Sequence, residues 1–453
     1  MKAIRLSFPR LTALLATALC TAQPAAAQAG DAPAVVPWGE LAPVAAGKPR
    51  PLRVPRRNPE AGASAYTNAW WWEEGPDGPR FVHGTRYAKD GVFVSVRPEG
   101  DLRTVELEGR WIIPPLAEGH NHFLEGPWAL GHMNELLSQG VFYYKNPSSV
   151  GPVVRAHAAL FNRPDAIDAV WSHGSLTSAG SHPTQLYARL SGISGLAPDA
   201  LDGKAYFLVP DVAALERRWP EILEGAPDFI KLIFDDANGE LGDKPHGTPP
   251  EVAARAVALA HAAGLHVTAH VVTAADMRVA LDAGVDEITH LPGWSWGNYG
   301  ERYFTIDPEL AADLADRNVA VVATASIAAE TDGRWRQAGW TPTALQALQA
   351  RNLRTLRAAG VRIAMGSDQL RPIRDEVDYL RRLGVQSDAD WLMAWIRTGP
   401  ETVFPQRAIG RLLPGYEANF LALACDPLAD FACIERILHR EKQGQELIVE
   451  DAP

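Results

Sequence analysis

From residue 250 to residue 368 the sequence repeats one unit: a helical stretch, a glycine, and then a short apolar run. Pro250 to Ala263 stops at Gly264, Ala274 to Ala283 at Gly284, and Ala344 to Ala359 at Gly360. Each glycine suits the left-handed turn that ends a helix. The runs that follow, Leu265 to His270, Val285 to His290 and Val361 to Asp368, read as buried strands. A further unit, Pro308 to Arg317, Asn318 and then Val319 to Ile327, puts asparagine where the others have glycine. Strands separated by helices run parallel, because parallel neighbours need a long crossover connection. The repetition therefore points to a βα barrel.

The rest of the chain fits around that core. Alternation of strand and helix begins at about Ile112. Upstream, residues 30–112 lack helical periodicity and carry alternating runs such as Gly91-Val-Phe-Val-Ser-Val and Thr104-Val-Glu-Leu-Glu, separated by Gly and Pro clusters. After about Glu401 the helical rhythm fades, and Asn419 to Leu423 and Leu447 to Glu450 are candidate strands returning to the N-terminal β region. The expected architecture is α/β: a (β/α)₈ TIM barrel over 113–404, with a small β-sandwich built from 30–112 and 405–453. The 453 residues accommodate a barrel of roughly 250 residues and such a satellite. With 47% hydrophobic and 21% charged residues, a large dry core is affordable.

Lys2, Arg5 and Arg10 form a basic start, Leu11 to Leu19 an apolar stretch, and Pro24 to Ala29 a small-residue exit. This is the pattern of a signal peptide over residues 1–29, and it predicts an exported protein, periplasmic or secreted. Leu19 precedes Cys20 where lipidation signals carry a small residue, which argues against a lipid anchor. No stretch approaches the roughly 18 to 20 apolar residues of a membrane helix, so no membrane span is expected. The formal net charge is −11, and the leader carries three cations and no acid, so the mature chain is more acidic still. Nucleic acid is not an expected partner, since phosphate binding needs a basic footprint. Cys425 and Cys433 could close a small disulfide in an oxidising compartment or stay as two buried thiols, and their spacing does not decide.

Chemistry concentrates in a few places. In Ile113-Pro-Pro-Leu-Ala-Glu-Gly-His120-Asn-His122-Phe two histidines stand one residue apart. On a strand they point to the same face and can share a metal. With 13 histidines in the chain, such a pair also arises by chance. In Asp228-Phe-Ile-Lys231-Leu-Ile-Phe234 both faces are apolar, as in buried parallel strands, and Lys231 is the anomaly. A buried ammonium is costly alone, so it either pairs, with Asp235 or Asp236 as candidates, or loses its proton. His270, His290 and Asp368 each close a strand. The carboxyl ends of barrel strands form the rim where functional residues gather.

The order His-x-His, Lys, His, His, Asp resembles the amidohydrolase superfamily, in the subgroup similar to imidazolonepropionase-like proteins and metal-dependent Xaa-Pro dipeptidases. The resemblance runs from about Asn68 to Val449. It includes Val105-Glu-Leu-Glu-Gly-Arg-Trp-Ile-Ile-Pro-Pro-Leu, Ser172-His-Gly-Ser-Leu-Thr-Ser-Ala-Gly-Ser-His182-Pro and Ile409-Gly-Arg-Leu-Leu-Pro-Gly-Tyr-Glu-Ala-Asn. Pro115 stands where relatives often have Gly, Glu118 where Asp is common, and Asn419 where the closing motif usually has Asp. These departures bear on the substrate more than on the metal site.

The resemblance implies a carbamylated Lys231 bridging two divalent ions, with His120 and His122 on one, His270 and His290 on the other, and Asp368 beside the first. Two such ions would acidify a bridging water and polarise a carbonyl, and Asp368 would carry the proton to the leaving group. Zinc suits these ligands best, and manganese, cobalt and iron are compatible. The implied enzyme is a metal-dependent hydrolase of amide or peptide C–N bonds in a small molecule, a dipeptidase included. Lactone or ester hydrolysis on the same site is the second reading. A mononuclear deaminase would not need Lys231 and would place a Glu soon after His270, where Val-Val-Thr-Ala-Ala-Asp stands. A non-catalytic binding protein is the remaining class. The oligomeric state stays open, a homo-oligomer being compatible.

By the same resemblance His182 would help hold the substrate carbonyl oxygen. Tyr143, Tyr144 and Lys145 after the second strand, and Arg371 and Arg374 after Asp368, are candidate rim residues. Of these Tyr143, Tyr144 and Arg371 are the candidate substrate contacts, each arginine singly being as compatible with a solvated charge. Trp294 and Trp296, in the loop after His290, are candidates for an apolar pocket wall. Trp70, Trp71 and Trp72 are assigned to the core of the β region.

Overall fold

The computed structural model describes residues 53–76, 78–126, 128–187, 200–241, 246–293, 299–330 and 341–449. The leader segment and Trp294 and Trp296 lie outside the described residues. The alternating N-terminal runs form strands β1 (Ala63–Gly75), β2 (Gly78–Lys89), β3 (Val92–Val94) and β4 (Arg103–Ile113). β1 pairs antiparallel with β2 and parallel with β4. Asp90 and Gly91, with φ of 53° and 77°, make the two-residue turn between β2 and β3 that an Asp-Gly pair favours. Trp71 and Trp72 are buried in this sheet, whereas Trp70 is half exposed and lies edge-on to His83.

Beyond Ile113 the strands become short, apolar and parallel. β5 (Leu116–Glu118), β6 (Val141–Asn146) and β7 (Asp168–Trp171) make one three-stranded sheet. β8 (Ser175–Thr177), β9 (Tyr206–Leu208), β10 (Phe229–Ile233), β11 (His266–His270), β12 (Glu287–Thr289), β13 (Ala320–Val322) and β14 (Arg362–Ala364) make a second, ordered β14-β13-β12-β11-β10-β8-β9. Helices Pro250–Ala262, Ala274–Ala283, Pro308–Asp316 and Pro342–Ala358 precede β11 to β14 in turn. Gly264, Gly284 and Gly360 have φ of 75°, 90° and 82°, and Asn318 of 57°, so all four helix stops are left-handed. The strands are shorter than the apolar runs: Met365 to Asp368 leave the ladder after β14, and Ser326–Glu330 turns into a helix. The strand ladder is not continuous around the two parallel sheets. A few backbone hydrogen bonds link them, Gly119 N to Met365 O and Asp368 N to His120 O at one junction and Asp228 N to Trp171 O at the other, each 2.9 Å. The observed class is mixed α/β with parallel sheets. Among the described residues no helix is long and apolar enough to cross a membrane.

The C-terminal part returns as β15 (Phe420–Leu423), β16 (Ile437–Lys442) and β17 (Gln445–Glu446). They join the first sheet in the order β17-β16-β15-β4-β1-β2-β3. The described N- and C-terminal segments thus share one seven-stranded sheet instead of the two facing sheets of the expected sandwich. β15 matches the expected Asn419 to Leu423, whereas the described residues 447–449 of the other expected strand, Leu447 to Glu450, form none. The second returning strand is β16, whose Glu441 and Lys442 are fully buried. Glu441 accepts from Tyr66 Oη (2.6 Å) and is bonded to Arg103 and to His439 Nε2, and Lys442 Nζ pairs with Asp168 (2.9 Å).

Cys425 and Cys433 form a disulfide, which resolves the open pair of readings. A loop with a sequence separation of 8 limits its entropic contribution to about 2 to 3 kcal/mol. The Cys425→Ser, Cys433→Ser double variant should melt a few degrees lower than the oxidised protein. Equal melting temperatures would show that the link adds nothing.

Candidate metal centre

Four histidines and one aspartate gather where β5, β11, β12 and β14 end. His120 and His122 follow β5, His270 is the last residue of β11, His290 follows β12, and Asp368 lies past β14. Ring centroids are 5.1 Å apart for His120 and His122, 4.9 Å for His120 and His290, and 4.6 Å for His270 and His290. Asp368 Oδ1 lies 3.2 Å from His122 Nε2 and 3.8 Å from His120 Nε2. One donor atom each of His120, His290 and Asp368 falls within 4.8 Å of the others, spacing that suits a shared ion. His290 and Asp368 have φ of 80° and 52°, a region that non-glycine residues rarely adopt. Backbone bonds from His290 N to Val322 O and from Asp368 N to His120 O hold them there. Such local strain concentrates at functional positions.

The electrostatics favour ligand lone pairs. Burial, with the neighbouring cationic groups, pushes the His120, His270 and His290 imidazoles well below their ordinary range, so they are neutral near pH 7. Two rings are oriented through their second nitrogen: His122 Nδ1 donates to Pro147 O at 2.7 Å, and His290 Nδ1 lies 2.6 Å from Thr324 Oγ1. Partners of this kind fix the tautomer that faces a metal.

Lys231 sits in the middle of β10, all five residues of which are buried. Its Nζ has no hydrogen-bond partner among the described residues. The two proposed counter-ions are engaged elsewhere: Asp235 accepts from His182 N, and Asp236 from Glu240 N and Leu241 N. Burial pushes the amine down to about 7, against the opposing pull of Glu287 and Asp368. Such an amine beside neutral imidazoles fits a carbamate between two divalent ions, and it fits no ion pair among the described residues.

The remaining candidates divide. His182 joins the cluster, its ring stacked on His270 at 4.7 Å and 11°. Tyr143, Tyr144 and Lys145 do not follow the second strand. β6 runs to Asn146, so all three lie inside it, fully buried, and the rim assignment is corrected. Tyr143 Oη accepts from Asn419 Nδ2 (2.8 Å), and Lys145 Nζ donates to Glu287 (2.6 Å) and Thr402 O (2.7 Å). Tyr144 Oη donates to Asn121 Oδ1 (2.9 Å) and accepts from Phe123 N (3.0 Å), so it braces the His-x-His segment from behind. Arg371 is half exposed, 3.8 Å from Asp375, and Arg374 is taken by Glu435 and Asp378.

Glu118 was visible in the sequence only as a departure from a motif. Fully buried, it accepts from His120 N and Ser367 N, both 3.0 Å, and from Ser367 Oγ at 2.6 Å, tying the turn that carries His120 to the one that carries Asp368. Burial pushes its carboxyl up to about 7. An acid inside the apolar Leu116-Ala-Glu strand is the same anomaly as Lys231 and could have been found by the same reasoning. Glu118→Ala strands those donors, and should cost about 2 to 3 kcal/mol and lower the metal content. Denaturant midpoints and elemental analysis would test this, and an unaltered metal content would refute the bracing role.

No protein-family model matches the chain. Uncharacterized proteins of Mycobacterium bovis and Mycobacterium tuberculosis are 26% identical over 303 residues, covering 64% of this chain and 74% of theirs. The structure resembles a crystal structure described as an amidohydrolase, with a TM-score of 0.64, 20% identity, and coverage of 86% of this chain and 100% of that one. It also resembles a Xaa-Pro dipeptidase with bound methionine in its active site, with a TM-score of 0.66, 16% identity, and coverage of 85% and 99%. The chain has the fold of these amidohydrolases and dipeptidases, as the His-x-His, Lys, His, His, Asp order led one to expect.

Proposed function

We propose that the chain is an exported, metal-dependent amidohydrolase that cleaves an amide or peptide C–N bond of a small substrate. The observation that carries this reading is the Lys231 amine, buried without a partner beside the neutral imidazoles of His120, His270 and His290. Likeness in fold to proteins described as an amidohydrolase and a Xaa-Pro dipeptidase supports it. In this reading the two parallel sheets act as one (β/α)₈ barrel, joined at the Gly119 to Met365 and Asp228 to Trp171 contacts. A leader-like segment over 1–29 and a disulfide, which persists in oxidising compartments, support export.

His120, His122 and Asp368 would hold one ion, His270 and His290 the other, and carbamylated Lys231 would bridge them, with zinc the first choice. Bound there, divalent ions would acidify a water and polarise the scissile carbonyl. The Asp368 carboxylate, less buried than His120 and adjacent to His122, takes the proton of the attacking water and delivers it to the leaving nitrogen. His182, stacked behind His270, donates toward the oxygen on which negative charge develops. Glu118 and Tyr144 keep the two ligand turns in register.

The test is a screen of protein loaded with metal and bicarbonate against N-acyl amino acids, dipeptides and lactones, with elemental analysis of the same sample. Two divalent ions per chain and turnover of an amide or peptide are expected. Turnover of lactones alone would move the assignment to ester hydrolysis. Full metal loading without turnover in any class would refute the hydrolase.

A further inference from the structure

His122 differs from the other candidate ligands. Its side chain is 31% exposed where that of His120 is 2% exposed, so surrounding packing restrains it less. On the side away from Asp368 it is oriented by a hydrogen bond from Nδ1 to Pro147 O at 2.7 Å. A carbonyl can only accept, so Nδ1 carries a proton and donates it there. The orientation of His122 is therefore as good as the placement of the Pro147 carbonyl.

That carbonyl opens a turn, residues 147–150, that side chains from other segments hold. Ser148 has a φ of 55°, strained for a serine. Side chains clamp it. Ser172 Oγ accepts from Ser148 N at 2.7 Å, Ser175 Oγ donates to Ser148 Oγ at 2.7 Å, and Tyr187 Oη donates to Ser148 O. Those clamps come from the β7–β8 segment and from Tyr187. The far end is held from the other side: Glu125 Oε2 accepts from Val150 N at 3.0 Å. Glu125 is 6% exposed and belongs to the same segment as His122, three residues on. It closes a loop of contacts running from His122 to Pro147, along the turn to Val150, and back through Glu125 to the His-x-His segment.

We infer that Glu125 is a positioning residue for His122, acting on it through the 147–150 turn. The inference rests on the metal-centre reading for its consequence, but the tautomer and orientation of His122 are properties of the protein without metal. Removing the acceptor frees Val150 N, lets the turn relax, and lets the imidazole exchange tautomers.

The experiment follows the ¹⁵N imidazole signals of metal-free full-length protein and, in parallel, zinc affinity by competition with a chelator. Wild type and Glu125→Gln, which keeps an acceptor for Val150 N, should show His122 in the Nδ1–H form. Glu125→Ala should show averaged tautomers, with one of two zinc ions held about 10- to 100-fold more weakly and the other unaffected. Val150→Pro removes the donor at a φ of −80° that proline tolerates and should reproduce the alanine result if Glu125→Ala fails to fold. A pure Nδ1–H signal with both affinities unaltered in a folded Glu125→Ala variant would overturn the inference, whatever its melting temperature. Averaged tautomers in a protein that takes up no zinc would leave the positioning role standing and refute the metal centre instead.

Discussion

Lys231→Ala should lose activity by about 100-fold or more and bind less than its full metal complement, because losing even a residue that only supports a metal ligand typically costs about 10- to 100-fold. The reasoning starts from β10. Every position of that strand is buried, its neighbours Phe229, Ile230, Leu232 and Ile233 are apolar, and the amine of Lys231 has no acceptor. An ammonium there would be expensive, and among the described residues no carboxylate pairs with it. A carbamate turns the same side chain into an anion that two cations draw in. The sign of the charge at this position therefore separates the readings. A short carboxylic acid in solution should partly restore metal and activity in Lys231→Ala by filling the gap. Lys231→Arg should fail, since a guanidinium stays cationic and cannot ligate. Full activity and full metal in Lys231→Arg would end the bridging role.

Legibility in the sequence followed a physical rule. The helix stops at Gly264, Gly284, Asn318 and Gly360 were readable because a left-handed backbone selects its residue type locally. His270 and His290 were readable because each ends a short apolar run, and Lys231 because it interrupts one. What misled were buried charges whose partners lie far away in sequence. Lys145 read as a rim residue because its counter-ion, Glu287, sits on another strand. Glu441 and Lys442 hid β16 because their partners Arg103 and Asp168 come from the first half of the chain. Glu118 and Glu125 escaped as bracing residues for a related reason: their work is accepting backbone N–H bonds, which leaves no pattern in side-chain types. The sandwich was expected because alternation shows that strands exist and does not show which strands share a sheet.

Asp168 carries the second large effect. It opens β7 with its side chain fully buried, and it meets three cations: Lys442 Nζ at 2.9 Å, Arg56 at 3.1 Å and Arg407 at 2.8 Å. These join the segment before β1, the parallel sheet and the C-terminal strand at one point. Burial alone would push the Asp168 carboxyl up, but Lys442, Arg407 and Arg56 together hold it below the usual carboxylate range. Removing one member of a buried ion cluster leaves the others uncompensated, at a cost of about 3 to 5 kcal/mol. Asp168→Ala should lose that much stability at pH 7. The pH dependence has a definite sign: a carboxyl held lower in the folded state stabilises above its unfolded value of about 4 and loses that contribution as the pH falls below it. The gap between wild type and Asp168→Ala should therefore be constant from pH 7 to about pH 5 and narrow in more acid solution. Denaturant midpoints across that range decide the matter. A gap that widened with acid, or a variant as stable as wild type at pH 7, would mean that Lys442 and the two arginines find other partners. Because β7 leads directly into Ser172 and Ser175, which clamp the turn holding His122, the variant should also bind zinc more weakly at a temperature where it is still folded.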